Sequence, residues 1–569
     1  MTRASILFLC DGAAKPAAWD GIPYDRELSL SYFGARANLN LRIENLSHAL
    51  LASIDDRAAD LVRIASYVYA ADQTVSRGGL RDVYGESWRR DMHLAIPVSD
   101  PKFWGLPGIT SDLQDILHFL SNDRWRFSFV SGIPGGGQLM LNTNKQELHG
   151  APNSVVMLSG GADSLAATVE AFCGLGLRPL LVSHRSAPPI DVRQNTLVAE
   201  LRRRFGDWAF PHISCWVHRK GHDAAETTQR VRSFLFASLG AAVASSMGIT
   251  RLMFSDNGVV SLNLPVNRQL LGALATRSTH PKFIWLFNRF LGKVFSPVPI
   301  ATNTLADRTR AEAIGLLKQH GVSDLLPHTV SCVRVRGRPS DQLHCGVCSQ
   351  CVDRRFAVIA NDLEGLEPAQ RYGVDLFRDR LPEGEARVLA TSYVRFSREV
   401  RRATTEEMFN QYPELNECVL PDDQEPSATA ERLVALMKRQ AECVLSVYSS
   451  RVAASQDEMT FGWLHRESLI ALCSLDTGGQ DADGVFVHDE DYLNVRFKGI
   501  LYALTHTQAQ VVRVLDEARL RGFPEMRQAI IGTKIGLPGA RINDIFRTSP
   551  AFRVLVVGGS RKGTYRLNL

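Results

Sequence analysis

The sequence lacks any apolar run near the ~20 residues that a membrane-spanning helix needs. Its first residues carry one basic side chain and an apolar run limited to Ile6–Cys10, too short for a signal peptide, so this run predicts a first β-strand. It also lacks a disulfide framework, because ten cysteines are spread over 569 residues and four of them fall in one local cluster. We therefore expect a cytoplasmic protein without a membrane segment.

Neither sign of charge dominates the composition. A net charge of +5, with 22% charged and 45% hydrophobic residues, is typical of a globular protein and permits nucleic-acid contact without requiring it. A chain of 569 residues is too long for one ordinary core, so we expect several domains. The predicted division is an N-terminal α+β accessory domain (1–150), an α/β domain (151–361), a helical connector (362–483) and a winged-helix-like domain (484–569).

The first 150 residues mix strand-like and helical patterns. Strands are predicted at Ile6–Cys10, His93–Val98 and Arg126–Val130, and helices at Asn45–Ile54 and Thr110–Leu120. The stretch Gly132–Gly137 predicts a hairpin loop before Leu139–Leu141, since no helix signal follows its glycines. No chemistry is visible in this domain, so docking or homodimerisation is its expected role.

From residue 154 strands and helices alternate. Buried-type strands are predicted at Ser154–Leu158, Pro179–Ser183, His212–Val217 and Arg251–Ser255, with helices at Val192–Phe205 and Thr227–Met247. This rhythm predicts a doubly wound parallel sheet.

A glycine-rich loop follows the first of these strands and reads Ser-Gly-Gly-Ala-Asp-Ser. Gly160 and Gly161 let backbone N–H groups curl around an oxyanion, at the positive end of the following helix. Ser159 and Ser164 add hydroxyl donors, and Asp163 can orient the loop or help to hold Mg²⁺. No lysine follows, so γ-phosphate transfer is not expected. The alternative is a glycine-rich helix-capping turn without a ligand.

Four cysteines have the spacing of a metal site. Cys345, Cys348 and Cys351 form a CxxCxxC run, with Cys332 thirteen residues upstream. Four thiolates close a tetrahedral zinc site with no position open for water. An iron–sulfur cluster and free reduced cysteines are the alternatives. His344 is expected to be a neighbour rather than a ligand.

The loop Ser159–Ser164 resembles the SGGxDS signature of the PP-loop ATP pyrophosphatases. Together with Ser331-Cys332, the CxxCxxC run and Arg354 or Arg355, it resembles the 7-cyano-7-deazaguanine synthases (the QueC family) over residues 154–360. The resemblance implies a HUP-like PP-loop domain with structural zinc, in which Ser159 and Asp163 are catalytic. It implies ATP as the activator of 7-carboxy-7-deazaguanine, which is adenylated and then attacked twice by ammonia.

The resemblance also suggests ligand contacts at the carboxyl edge of the sheet. His184 follows the strand nearest the adenine, although a plain loop is the alternative. The candidates for substrate contact are Arg232, Ser233, Asp256, Asn257 and Arg310. An ordinary Asx turn is the alternative at Asp256 and Asn257.

The chain is longer at both ends than the simple synthases that it resembles. Extended members of the family occur in bacterial anti-phage systems, including the Qat type and a branch of the CBASS type. The resemblance therefore implies a ligase that forms a C–N bond between the activated acid and an amine of a partner macromolecule. A stand-alone synthase that uses ammonia, and a non-catalytic nucleotide sensor or DNA-binding regulator, are the alternatives.

The last 86 residues or so predict three helices and a basic hairpin, the order of a winged helix-turn-helix. Phosphate contacts would come from a set of basic residues, Arg541, Arg547, Arg553, Arg561 and Lys562. Because few aromatic residues lie among these charges, docking to a protein is expected in preference to nucleic-acid binding.

Overall fold

The computed structural model describes residues 5–32, 37–42, 55–76, 89–132, 151–185, 188–219, 226, 229–264, 277–333, 339, 342–460, 463–478, 486–488, 491–497, 500–520, 525–547, 549, 551, 554–561 and 563–568. The chain divides into two compact units, Met1–Leu469 and Ile470–Leu569. The predicted helix Asn45–Ile54, and the predicted hairpin loop after Gly132 with its following strand, lie outside the described residues.

Strands of the first unit form two sheets. In chain order they are β1 (Ser5–Cys10), β2 (Arg26–Leu30), β3 (Leu39–Arg42), β4 (Asp91–Val98), β5 (Arg124–Ser131), β6 (Ser154–Met157), β7 (Pro179–His184), β8 (His212–Arg219), β9 (Arg251–Phe254) and β10 (Ile300–Asn303). One sheet has the order β2-β1-β4-β5, and its strands are all parallel. The other has the order β10-β9-β6-β7-β8-β3, in which β3 alone is antiparallel.

Helices cover both faces of the second sheet. Those of the first unit are α1 (Asp56–Thr74), α2 (Pro101–Trp104), α3 (Pro107–Ser121), α4 (Ala162–Val169), α5 (Pro188–Phe205), α6 (Arg232–Ser246), α7 (Gly258–Leu262), α8 (Pro281–Val294), α9 (Arg310–Gln319), α10 (Ser349–Ala360), α11 (Glu385–Arg402), α12 (Thr405–Gln411), α13 (Pro426–Ala454) and α14 (Gln456–Thr460). The next helix is α15 (Leu469–Gly478). Strands β6 and β7 are buried along their whole length, as expected of parallel strands covered on both faces.

Two hydrophobic clusters lie on opposite sides of β6. Met157 points into one cluster with α1, α6 and the first sheet, and Val156 points into the other with α4, α5, α9 and α10. Because side chains alternate along a strand, this division follows from the sequence of β6. The doubly wound parallel arrangement predicted from residue 154 onward is therefore confirmed at the level of an α/β fold.

The N-terminal region differs from the prediction. We expected an α+β domain over residues 1–150, but the strands of its four-stranded sheet are all parallel, with α1 between β2 and β4 and α2 and α3 between β4 and β5, so its described part is α/β. The prediction was wrong because β2 and β3 were not recognised. Strand β2 is mostly exposed, so it lacks the continuous apolar run that identifies a buried strand. Strand β3 has only four residues, and it joins the sheet of the α/β domain through β8.

In the region predicted as a helical connector (362–483), the described residues form helices that include α11, α12 and α13. These helices pack around a cluster that includes Phe396, Met408 and Leu436 and that also takes in Leu262 of α7. Since α7 begins at Gly258, just after the segment that follows β9, these helices lie against the carboxyl edge of the second sheet.

The second unit has its own core. Its elements after α15 are β11 (Phe486–His488), β12 (Asn494–Phe497), β13 (Ile500–Ala503), α16 (His506–Leu520), β14 (Met526–Arg527), α17 (Gln528–Lys534), α18 (Ile542–Ile545), β15 (Val556–Gly558) and β16 (Thr564–Leu567). They form two antiparallel sheets, β11-β12-β13 and β14-β16-β15. Val512, Ile531 and Leu567 are among the residues that pack together in this core. Within the described part of the chain, no helix has the length and apolarity needed to cross a bilayer.

We predict that Arg90→Met destabilises the first unit by about 3–5 kcal/mol, because removing one partner leaves buried charges uncompensated. The Arg90 side chain is 1% exposed, binds Asp72, and places Nη2 2.7 Å from the Asp123 Oδ2. Thermal unfolding measures the loss. The control is Arg124→Met, whose 54% exposed guanidinium lies 3.8 Å from Asp91 and should contribute below about 1 kcal/mol. Equal midpoints for the two variants would contradict the prediction.

Candidate functional site

The glycine-rich loop lies between β6 and α4, at the carboxyl edge of the second sheet. Gly160 has φ +87°, a backbone conformation that disfavours other residues, and Gly161 precedes the first helical residue, Ala162. The Ser159 hydroxyl lies 3.1 Å from the Ser164 hydroxyl, which donates to the Gly161 carbonyl at 3.0 Å. The first N–H groups of α4 have no partner within the helix. The loop therefore offers backbone donors and a helix N-terminus to an anion.

Asp163 is held in the first turn of α4 through one of its two oxygens. Its Oδ2 accepts from the backbone N–H of Asn257 at 3.2 Å and from the Asn257 Nδ2 at 2.8 Å. The residue is 7% exposed, and its Oδ1 has no hydrogen-bond partner among the described residues. A buried carboxylate oxygen without a partner costs free energy, so this oxygen is available to a ligand, a cation or water.

Asn257 is placed by the sequence as a substrate contact, but its side chain makes structural bonds. Its Oδ1 caps α7 by accepting from the Val260 N–H at 3.1 Å, while its Nδ2 holds Asp163. Both ends of the amide are therefore used inside the protein. Asn257 connects the segment after β9 to the phosphate loop after β6, and these two strands are neighbours in the sheet.

Arg310 is also buried, at 3% exposed, and spreads its guanidinium over four partners. Its Nε donates to the Asp353 Oδ2 at 2.6 Å, and its Nη2 donates to the Gln350 Oε1 at 2.6 Å and lies 3.5 Å from the Asp163 Oδ2. Its Nη1 lies 3.5 Å from the Ser331 Oγ. Burial alone would lower the pKa of Arg310, but the charges of Asp163 and Asp353 raise it above its ordinary value. Arg310 is therefore a permanent buried cation beneath the loop.

The loop is braced by two contacts that sequence reasoning missed. Gln194 of α5 donates through Nε2 to the carbonyls of Leu158 and Ser159, each at 3.3 Å. The Val330 N–H donates to the Gly160 carbonyl at 3.0 Å. No local motif marks either residue, because each acts across a long separation in sequence.

The other predicted substrate residues gather beside the loop. Asp256 accepts from the Thr279 hydroxyl at 3.0 Å, and the Ser233 hydroxyl donates to the Ser278 hydroxyl at 2.8 Å. Burial is the main factor that raises the pKa of Asp256, the charge of Asp163 raises it further, and Arg232 acts in the opposite direction. The structure thus brings Arg232, Ser233 and Asp256 together with Ser278 and Thr279, a segment that the sequence did not single out.

His184 lies at the end of β7 but inside the protein. It is 1% exposed, its Nε2 lies 3.2 Å from the Val217 carbonyl oxygen, and its ring meets Tyr69 of α1 edge to face. These contacts place the imidazole in the core between β7, β8 and α1.

The four predicted metal ligands converge. One Sγ atom from each of Cys332, Cys345, Cys348 and Cys351 lies within 4.8 Å of the other three. The Sγ atoms of Cys345 and Cys351 are 3.8 Å apart, which matches the about 3.8 Å edge of a tetrahedron with metal–sulfur bonds of about 2.3 Å. The Cys348 N–H donates to the Cys345 Sγ at 3.2 Å, as expected around a thiolate. The four thiols fit a zinc ion.

Gly346 makes the cysteine turn possible. Its φ is +83°, and a Cβ atom there would lie 2.2 Å from the Val374 carbonyl oxygen. Beside the turn, Arg354 and Glu367 form a fully buried ion pair at which the Tyr372 hydroxyl also donates to Glu367. Burial would raise the pKa of Glu367, but Arg354 outweighs it and lowers that pKa to about 2.

Residues next to the first cysteine connect the knot to the phosphate loop. Ser331 precedes Cys332, and its hydroxyl accepts from the Arg354 Nη1 at 3.1 Å while facing Arg310. Val330 holds Gly160. A metal ion that fixes Cys332 therefore also fixes one wall of the anion-binding loop.

Comparison of the chain with protein-family models and with curated proteins found no match. The arrangement itself combines backbone donors, a buried acidic oxygen and a buried cation at the carboxyl edge of a parallel sheet. Such a site can bind a phosphorylated ligand together with a divalent cation.

We predict that Cys348→Ser lowers the bound metal and the thermal midpoint together, because a structural metal contributes directly to folding. Elemental analysis of the purified protein identifies the metal and counts it per chain. The control is Cys173→Ser, which changes an exposed cysteine outside the knot. A metal-free Cys348→Ser protein with an unchanged midpoint would rule out the structural role.

A second prediction concerns Asp256. Since its pKa is raised in the folded state, ionisation costs folding free energy above the folded pKa and costs none below the unfolded pKa. Asp256→Asn should therefore raise the thermal midpoint more at pH 8 than at pH 4, which is close to the ordinary pKa of 3.8. Unfolding scans of the variant and the wild type at both pH values measure this difference. A gain confined to pH 4 would contradict it.

Proposed function

We propose that the protein is an ATP-dependent, adenylate-forming ligase of the PP-loop type, acting on a 7-carboxy-7-deazaguanine-type acid. The observation that carries the proposal is the phosphate loop with Asp163, whose Oδ1 is buried without a hydrogen-bond partner among the described residues, in the first turn of α4. A simple capping turn would not need that oxygen. The alternative reading as a turn without a ligand leaves its burial unexplained.

In the proposed reaction the loop binds the departing pyrophosphate. Backbone N–H groups in the first turn of α4, with the Ser159 hydroxyl, would stabilise its negative charge, and the Asp163 Oδ1 would hold Mg²⁺. A carboxylate oxygen of the acid attacks the α-phosphorus of ATP, and the bond from that phosphorus to pyrophosphate breaks. An amine then attacks the acyl carbon, loses a proton and displaces AMP. The products are an amide, AMP and pyrophosphate.

The cysteine knot has a structural role in this proposal. Zinc held by four thiolates has no open position for a substrate or water. It would fix Cys332 and, through Val330 and Ser331, the wall of the phosphate loop.

We propose a partner macromolecule as the amine donor, as in the extended defence-associated members of the resembling family. The chain supports this choice by its additional regions, an α/β sheet before β6 and a separate compact unit after Leu469, which a synthase using free ammonia does not require.

For the second unit we propose a winged helix. Its order of α16, β14, α17, α18 and the hairpin β15–β16 is the order of that motif, and β14 completes the small sheet. Arg541 and Arg547 flank α18 and are exposed, so they are available to phosphates or to an acidic protein surface.

The test is pyrophosphate release from Mg²⁺·ATP with 7-carboxy-7-deazaguanine, with and without ammonia, and mass spectrometry of the products. Release that needs a partner protein and leaves a mass adduct on it would support the ligase. Release with free amide or nitrile would identify a stand-alone synthase. ATP binding without release would identify a nucleotide sensor.

We predict that Asp163→Asn lowers pyrophosphate release by at least about 100-fold, comparable to the loss of one preorganised charge-stabilising group. The amide can still accept from Asn257 through one oxygen but cannot ligate Mg²⁺ as a carboxylate does. The control is Asp362→Asn, whose 88% exposed side chain lies 3.7 Å from Lys318. Full activity of Asp163→Asn would remove Asp163 from the mechanism.

A further inference from the structure

The helices after the cysteine knot reach the phosphate loop through one buried carboxylate. Asp353 of α10 receives two hydrogen bonds on Oδ1, from the Tyr393 hydroxyl at 2.5 Å and from the Gln440 Nε2 at 3.0 Å. Gln440 also donates to the Tyr393 oxygen at 2.7 Å. Tyr393 lies on α11 and Gln440 on α13, so both helices contribute one member of this triangle.

The other oxygen of Asp353 extends this hydrogen-bond network toward the glycine-rich loop. It accepts from the Arg310 Nε at 2.6 Å, and the Arg310 Nη2 lies 3.5 Å from the Asp163 Oδ2. Asp353 and Arg310 are 6% and 3% exposed, so the path runs through the protein interior. In such surroundings an oriented ion pair is stable only when its remaining lone pairs are satisfied, and Tyr393 and Gln440 satisfy those of Asp353.

A second set of contacts joins α13 to the segment around the start of α9, which carries Arg310. Arg439, the neighbour of Gln440 on α13, donates to the Glu312 Oε1 at 2.8 Å and to the Asp307 carbonyl at 2.6 Å. Both partners lie at the beginning of α9, on either side of Arg310. Helix α13 therefore binds the turn that carries Arg310 through Arg439. Through Gln440 it also binds Asp353, whose carboxylate orients the Arg310 guanidinium.

We propose that Asp353, Tyr393 and Gln440 are positioning residues, which hold Arg310 against Asp163 and so make helices α11 and α13 a working part of the nucleotide site. This inference rests on the proposed adenylating function. The helices act on the loop by fixing the direction of Arg310, and thereby the rotamer in which Asp163 offers Oδ1 to the ligand. A merely packing role for the two helices would not depend on the hydroxyl of Tyr393 or the amide of Gln440.

The experiment compares the double variant Tyr393→Phe/Gln440→Leu with Tyr412→Phe in the full-length protein. Phenylalanine and leucine are close in size to the tyrosine and glutamine that they replace. Tyr412 packs against Phe396 of α11, and its hydroxyl accepts from the Gln411 Nε2 at 3.2 Å, outside the triangle at Asp353. Steady-state pyrophosphate release gives kcat and the KM for ATP. Hydrogen–deuterium exchange of the peptide covering Gly160–Ser164 reports the loop without requiring activity.

We expect the double variant to lower kcat by at least about tenfold, which corresponds to one hydrogen bond to a charged group, with less than about a threefold change in KM. Exchange in the loop should become faster, while metal content and the exchange of β6 stay as in the wild type. The Tyr412→Phe protein should match the wild type throughout.

Two outcomes would contradict the proposals, and the experiment distinguishes between them. Equal kcat and equal loop exchange in the double variant and in Tyr412→Phe would overturn the positioning role while leaving the ligase intact. A wild-type protein that neither binds Mg²⁺·ATP nor releases pyrophosphate would overturn the proposed function, and this inference with it.

Discussion

The architecture of the site depends on one buried cation, Arg310. Its guanidinium is surrounded by carboxylates, an amide oxygen and a hydroxyl that come from the phosphate loop, the knot region and α10. A charge in this position must be compensated in every direction, or its desolvation would cost several kcal/mol. The elements that supply its partners are therefore obliged to keep a fixed geometry relative to one another. This requirement contributes to the fixed orientation of the buried Asp163 carboxylate, whose Oδ2 lies 3.5 Å from the Arg310 Nη2.

The four-cysteine cluster adds a second constraint on the geometry around Arg310. Cys348 and Cys351 lie at the start of α10, and Gly346 needs a conformation that ordinary residues avoid. A metal ion held by the four cysteines would add directly to the stability of this segment. Because Ser331 and Val330 precede the first ligand directly, order imposed at Cys332 passes to the loop over two residues. A structural metal site can in this way determine the geometry of the glycine-rich loop next to it.

The parts of the candidate site that could be predicted from the sequence are those marked by a local pattern. The glycine-rich loop and the four cysteines stand out because their residues lie close together in the chain and have a characteristic spacing. The structure brings the four cysteines together, while the phosphate-binding role of the loop stays a prediction. Gln194, Asp353 and Tyr393 were missed because each acts on a partner far away in sequence, so no spacing marks them. His184 and Asn257 were recognised as residues at the correct edge of the sheet, but only the fold shows that their polar atoms bond to the protein. The error at the N-terminus has a similar cause, since a short or exposed strand is defined by the partner it pairs with.

Strand β3 links the N-terminal region to its neighbour. It pairs antiparallel with β8 and so covers one edge of the second sheet. Uncovered edges invite pairing with other molecules, and proteins avoid them. A shortened chain that begins at β6 would present β8 as such an edge, with a tendency to aggregate. The N-terminal region therefore acts as the border of the second sheet as well as a unit with a sheet of its own.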